Sequence, residues 1–194
     1  MRLFVAVALD PDLIRAAGSF VDTLRGRAAR LAPHARLSWV TPERLHVTLA
    51  FIGDVPESQT PAIMAALQPP SSVRPFEMAL AGAGAFPGRG RPRVLWTGVG
   101  EGRDSLISVA GEVQTRLTAA GVALEARPFS PHVTVARVKE PAGLRPSVLL
   151  QGLTDVVVGR MTVDAITLFQ SRLSPSSPSY HVMARSPMSR EELS

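Results

Sequence analysis

Cysteine is absent from the 194-residue chain, which excludes disulfide scaffolds, thiol nucleophiles, Cys-type zinc sites and iron–sulfur clusters. Lysine occurs once, at Lys139, against 20 arginines. No apolar run reaches the ~18 residues that a membrane helix needs, because the opening stretch Arg2-Leu-Phe-Val-Ala-Val-Ala-Leu9 soon meets Asp10 and Pro11. That stretch also lacks a small-residue cleavage pattern, so it reads as a strand rather than a signal peptide. A soluble, cytoplasmic protein without a membrane segment is expected. Like charges form no block, which excludes a polybasic or acidic tail. Any chemistry must come from His, Ser, Thr, carboxylates or Arg.

What is present favours a packed globule. Hydrophobic residues make up 45% of the chain and charged residues 19%, enough apolar surface to offset the entropy of ordering it. The length suits one ordinary domain or two small lobes. The net charge is +5, and guanidinium groups fork onto phosphate and stack on bases, so an arginine-rich surface suits nucleic acid or nucleotides. Codon bias accounts equally well for arginines scattered as these are.

Periodicity predicts a buried strand over residues 2 to 9, then a helix opened by Asp10-Pro11-Asp12 and running to about Leu31. Short strands or helices follow: a strand at Leu37 to Val40, a strand at Arg44 to Gly53, a helix at Pro56 to Leu67 and a strand at Phe76 to Ala81. Gly82 to Arg93 reads as a loop or hinge. Val94 to Val99 is a strand, and Leu106, Val109, Val113 and Leu117 mark a helical face closed by Gly121. Phe129 to Arg137 is a strand, a helix is expected near Leu144 to Gln151, and strands near Val156 to Val158, Met161 to Gln170 and Tyr180 to Ala184 complete the chain. Strands mixed irregularly with a few helices indicate an α+β fold.

Two of the four histidines share a context: His46-Val47-Thr48-Leu49 and His132-Val133-Thr134-Val135, 86 positions apart. With positions treated as independent, this double occurrence is expected roughly 2 times in 10⁴. On a strand, His46 and Thr48 project from one face, and Leu45, Val47 and Leu49 from the other. His132 and Thr134 share a face in the same way. Two copies suggest two similar lobes, each presenting an imidazole and a hydroxyl to a shared cleft. Two facing imidazoles support paired acid–base chemistry near neutral pH, one accepting a proton and the other donating. A phosphodiester suits them, since in-line displacement needs a base behind the attacking oxygen and an acid on the departing one, with hydroxyls on the non-bridging oxygens. No metal or other cofactor is required. The spacing leaves open which histidine takes which role.

The segments Arg44-Leu-His-Val-Thr-Leu-Ala-Phe-Ile-Gly53 and Arg127-Pro-Phe-Ser-Pro-His-Val-Thr-Val-Ala-Arg137 resemble the paired signatures of the two-histidine (2H) phosphoesterase superfamily. More narrowly, they resemble those of RNA 2′,3′-cyclic phosphodiesterases, also called 2′-5′ RNA ligases. The resemblance extends to Arg2-Leu-Phe-Val-Ala-Val, Arg93-Val-Leu-Trp-Thr-Gly98, Ile166-Thr-Leu-Phe-Gln-Ser171 and Tyr180. It implies a bilobal α+β domain spanning residues 1–194, with two antiparallel sheets, outer helices and a pseudo-two-fold axis around a central cleft. It also implies that His46 protonates the leaving 3′ oxygen while His132 activates water, leaving an RNA 2′-phosphomonoester. Thr48 and Thr134 would hold the phosphate and Arg137 would add a charged contact. The partner is then RNA ending in a 2′,3′-cyclic phosphate, as in tRNA-like fragments, met by a monomer.

Further binding residues are weighed against structural roles. Strand parity aims Arg137 away from the cleft unless a bulge redirects it. Phe51 and Phe129 are placed to stack on a base, although the parity of Phe51 matches the apolar Leu49. Arg91 and Arg93 flank Pro92 and are candidates for the RNA backbone. Trp39 and Trp96 read as core, and His34 and His181 as structural. Alternatives remain: small nucleotide cyclic phosphates or 2′-5′ oligonucleotides as substrates, reversible 2′-5′ ligation, or an RNA-end-binding protein without catalysis. A serine nucleophile finds no elbow motif, and the histidines show no usual zinc spacing.

Overall fold

The computed structural model describes residues 1–125, 128–172 and 178–189. Arg127, which opens the second signature segment, and residues 173–177 of the Ser/Pro-rich loop lie outside the described residues. Strand β1 (Arg2–Ala8) is buried along most of its length and leads into helix α1 (Pro11–Leu31). The side chain of Asp10 accepts from the Leu13 amide at 2.7 Å, and Pro11 occupies the first turn where no amide partner is needed. The remaining elements are β2 (Arg36–Trp39), β3 (His46–Asp54), α2 (Thr60–Leu67), β4 (Phe76–Phe86), β5 (Val94–Val99), α3 (Arg103–Ala119), β6 (His132–Glu140), α4 (Pro146–Leu149), β7 (Val157–Val163), β8 (Ala165–Arg172) and β9 (Ser179–Pro187).

The strands are antiparallel and run β7-β4-β5-β6-β3-β1-β8-β9, with β2 paired to β6. The centre of this path is narrow. Among the described residues, β3 and β6 are paired at one register position, Val47 opposite Val133. The sheet is thus two antiparallel leaves, β3-β1-β8-β9 and β7-β4-β5-β6 with β2, meeting where the two His-Val-Thr tripeptides face each other. In each leaf a helix lies between two paired strands, α1 between β1 and β3 and α3 between β5 and β6, but the first connection also includes β2, which pairs with β6 of the other leaf. The helices cross over. α1 packs on β7 of the opposite leaf, where Gly159 leaves room for Leu13, and α3 packs on β3. The fold is therefore α+β, and among the described residues the strands expected in two sheets belong to one nine-stranded sheet whose two leaves join at Val47 and Val133.

Several boundaries differ from expectation for local reasons. Gly82–Phe86, expected within a loop, continues β4, because Ala83 to Phe86 pair with β5; Gly84 leaves room for Trp96, where a Cβ would stand 2.1 Å from the indole. The expected helix from Pro56 starts as a 3₁₀ turn, Glu57–Gln59, and becomes α-helical at Thr60. The run Met161 to Gln170 is not one strand: it divides at Asp164 between β7 and β8. Among the described residues no helix is long and apolar enough to cross a membrane.

Candidate active site

His46 opens β3 and His132 opens β6, and both imidazoles are held in the same way. His46 Nδ1 lies 2.7 Å from the Arg44 carbonyl, and His132 Nδ1 lies 2.7 Å from the Ser130 carbonyl. A carbonyl can only accept, so each Nδ1 carries a proton and donates it two residues back along the chain. That anchor leaves each Nε2 to accept a proton when the ring is neutral and to donate one when it is charged. Rings then wall both imidazoles. Phe4 stands 4.9 Å from His46 and Tyr180 meets it edge-on at 5.4 Å. Phe86 meets His132 edge-on at 5.1 Å, with Trp96 at 6.3 Å.

A cavity of about 390 Å³ opens beside the motifs. His46, Thr48, Phe51, Thr134, Arg137 and Tyr180 are among the residues that line it. Thr48 and Thr134 project from the same faces as their histidines, as period-2 alternation requires. His132 is not among the residues that line the cavity; it stands beside it at the start of β6, two residues before Thr134. Burial holds the His46 imidazole below the ordinary value of 6.5; the bond to the Arg44 carbonyl opposes this, and the charges of His132 and Arg137 add to it.

Arg137 reaches the cavity because β6 is bulged. Against β5, Leu95 pairs with Ala136 but Trp96 pairs with Thr134, so Val135 is an extra residue. The alternation is reset there: Val135 and Ala136 are both buried, and Arg137 emerges on the face of His132 and Thr134. β3 carries the same device. Val5 pairs with Ala50 but Ala6 with Thr48, leaving Leu49 over, so that Leu49 and Ala50 are both buried and Phe51 emerges at the cavity, 47% exposed. Simple parity assigns Phe51 to the core and Arg137 to the outer surface, and two bulges reverse both assignments.

The other expected residues lie elsewhere. Phe129 packs against the hydrophobic core and does not line the cavity. Arg91 lines a separate, adjoining groove and pairs with Glu140 at 3.4 Å. Trp39 is half-buried against the core with Arg25 over its ring, whereas Trp96, expected in the core, stands instead beside Phe86 and His132. His34 is exposed, and exposed His181 meets Ser179 at 3.2 Å on β9. Arg2, Phe4, Arg44, Ser171 and Tyr180 also line the cavity, although none of them is a site residue expected from the sequence. Four of them lie within the family-like segments and Tyr180 closes the last, which was their one available signal. Among the described residues no three His, Asp or Glu side chains converge as metal ligands would.

Comparison with known proteins agrees with this architecture. The family model described as the 2′-5′ RNA ligase superfamily matches residues 11–174. An RNA 2′,3′-cyclic phosphodiesterase of Aeropyrum pernix is 40% identical over 166 residues, covering 81% of this chain and 93% of that protein. A protein of the same name from Methanothermobacter thermautotrophicus is 34% identical over 182 residues, covering 93% and 95%. The crystal structure of TT0787 of Thermus thermophilus superposes with a TM-score of 0.73 at 28% identity, over 97% of this chain and 98% of the other. With one family model spanning most of its length and relatives similar over 81% and 93% of it, this chain belongs to the 2′-5′ RNA ligase superfamily.

Proposed function

We propose that the protein hydrolyses RNA ends carrying a 2′,3′-cyclic phosphate to 2′-phosphomonoesters, by acid–base catalysis between His46 and His132 and without a metal ion. The observation that carries this reading is the twin anchoring of the imidazoles, each Nδ1 held at 2.7 Å by a carbonyl and each Nε2 left available for proton transfer. The relatives named RNA 2′,3′-cyclic phosphodiesterase supply the substrate class. A cavity of about 390 Å³ is of the size that takes one nucleotide-sized ligand.

In this reading His132 Nε2 takes a proton from water as the water oxygen attacks phosphorus. The bond from phosphorus to the 3′ oxygen breaks, and His46 Nε2 delivers its proton to that oxygen. The products are a 2′-phosphate and a free 3′-hydroxyl. Thr48 and Thr134 donate to the non-bridging oxygens, and Arg137 adds positive charge where negative charge develops. Burial and Arg137 disfavour a resident proton on His46 in the free protein. The anionic phosphodiester, seated against the ring, restores the incentive to hold one. Replacing water by an RNA 5′-hydroxyl gives 2′-5′ ligation through the same displacement.

Every one of these side chains comes from one chain, which supports action as a monomer, and a cytoplasmic setting is part of the same proposal. The test is incubation with an RNA ending in a 2′,3′-cyclic phosphate, with and without EDTA. A 2′-phosphate product in both supports the reading. A 3′-phosphate product reverses the bond assigned to break, and loss of turnover in EDTA that zinc restores rejects the metal-free mechanism. Tight binding without turnover identifies an RNA-end-binding protein instead.

A further inference from the structure

Resting on that reading, we propose that the groove adjoining the cavity is a track for the RNA backbone on the 5′ side of the cyclic phosphate, so that the preferred substrate is an oligonucleotide end rather than a mononucleotide. The groove encloses about 580 Å³ between Arg91, Pro92, Arg93, Arg137, Lys139 and Pro141. Arg137 lines both this groove and the cavity, so one begins where the other ends. Backbone pairing sets the cations side by side: Val94 lies opposite Arg137, and the Val138 amide donates to the Arg93 carbonyl at 2.9 Å. The chain's single lysine stands here with three of its arginines.

Arg91, Arg93, Arg137 and Lys139 are all exposed. Glu140 meets Arg91 at 3.4 Å through two exposed side chains, a weak, screened pairing that leaves the rim cationic. Guanidinium forks on a solvent-open groove match backbone phosphates, which carry charge without sequence. The cleft is also polar in the other sense, end to end. Its first motif ends in the exposed ring of Phe51, with Arg2 over it at 5.1 Å, and its second ends in Arg137. A terminal nucleoside offers one flat face and one anionic 5′ linkage. Phe51 takes the first and Arg137 passes the second to the groove.

The test compares kcat/KM on a mononucleotide 2′,3′-cyclic phosphate with that on a tetranucleotide ending in the same group, for the wild type and for the double variant Arg93→Gln, Lys139→Gln. The wild type is expected to prefer the tetranucleotide, and the variant to lose about tenfold on it, the order expected for two exposed phosphate contacts. Mononucleotide turnover is expected to stay unchanged, which separates the groove from the catalytic residues and from misfolding. The slope of log kcat/KM against log salt for the tetranucleotide should become shallower by about 1.4, at about 0.7 per phosphate contact on a single strand. Equal turnover of the two lengths by the wild type overturns the proposal, as does a variant that keeps the full preference. A variant impaired only in joining a 5′-hydroxyl strand assigns the groove to that strand and overturns it too. Wild-type turnover of neither substrate removes the catalytic reading itself, and this inference falls with it.

Discussion

Phe51 and Arg137 are the same position in two repeats: each stands five residues after its histidine, and each is turned into the cavity by a bulge three residues after that histidine. The repeats share His, Thr and bulge but diverge at this point into an aromatic ring and a guanidinium. A cavity lined by matching histidine–threonine strands is thereby given two unlike ends.

Replacing either imidazole should remove turnover without removing the fold. His46→Gln and His132→Gln are each expected to lower kcat by about 10²- to 10⁴-fold, the usual worth of a general acid or base. Neither side chain is part of the hydrophobic core, so melting curves followed by circular dichroism should stay cooperative. A variant that folds and keeps more than a tenth of the activity would remove its histidine from the mechanism.

Arg137 adds a cation beside His46 and so disfavours a second one there. Arg137→Ala should therefore raise the His46 pKa toward 6.5, read from the imidazole Cε1 proton by NMR titration of the free protein. The sign extends to kinetics. With His46 as the acid, the alkaline limb of kcat/KM, which reports the free enzyme, moves to higher pH in the variant even as its maximum falls through loss of a phosphate contact. Burial, the main cause of the lowering, persists in the variant, so the rise is a partial one; a His46 pKa that drops instead would remove the Arg137 charge from this ring.

Phe51 is expected to act on binding rather than chemistry. Base stacking on an aromatic side chain is worth about 1–3 kcal/mol, so Phe51→Ala should raise KM roughly 5- to 150-fold with kcat little changed. Phe51→Trp should restore it. The ring is half-exposed, with the Arg2 guanidinium above it, so the stability cost should be about 1 kcal/mol or less.

Away from the cleft, Glu112 of α3 clamps the Pro69–Ser72 turn. Its carboxylate accepts from the Ser71 hydroxyl at 2.7 Å and from the Ser72 amide at 3.1 Å, and it pairs with Arg116, which also donates to the carbonyls of Pro69 and Pro70. Partial burial pushes its pKa up, but the Ser71 and Ser72 hydrogen bonds and Arg116 outweigh this and hold it below the ordinary 4.5. The unfolded chain thus binds the proton more readily, and the resulting stability is present above pH 4.5 and lost as pH falls through the lower folded value. Glu112→Ala should cost about 2 kcal/mol at pH 7, the scale of charged hydrogen bonds. Urea unfolding at pH 7 and pH 3 should show the difference between wild type and variant shrinking in acid.

Much of this was written along the chain. Cysteine-free composition limited the chemistry, the Asp10-Pro11 cap and apolar spacing placed α1, and the repeated His-Val-Thr named both imidazoles and both hydroxyls, since period-2 alternation is a local property of any strand. Three matters needed the tertiary structure. The meeting of the two His-Val-Thr strands depends on Val47 pairing with Val133 across 86 positions, a long-range register that no local pattern encodes. The directions of Phe51 and Arg137 depend on bulges at Leu49 and Val135, which exist only relative to the neighbouring strands β1 and β5. The aromatic walls around the imidazoles join Phe4 of β1, Phe169 of β8 and Tyr180 of β9 on one side and Phe86 of β4 and Trp96 of β5 on the other. Side-chain types and spacings are covalent facts of one chain; register, bulging and enclosure arise only when separate stretches compete for the same hydrogen bonds and the same space.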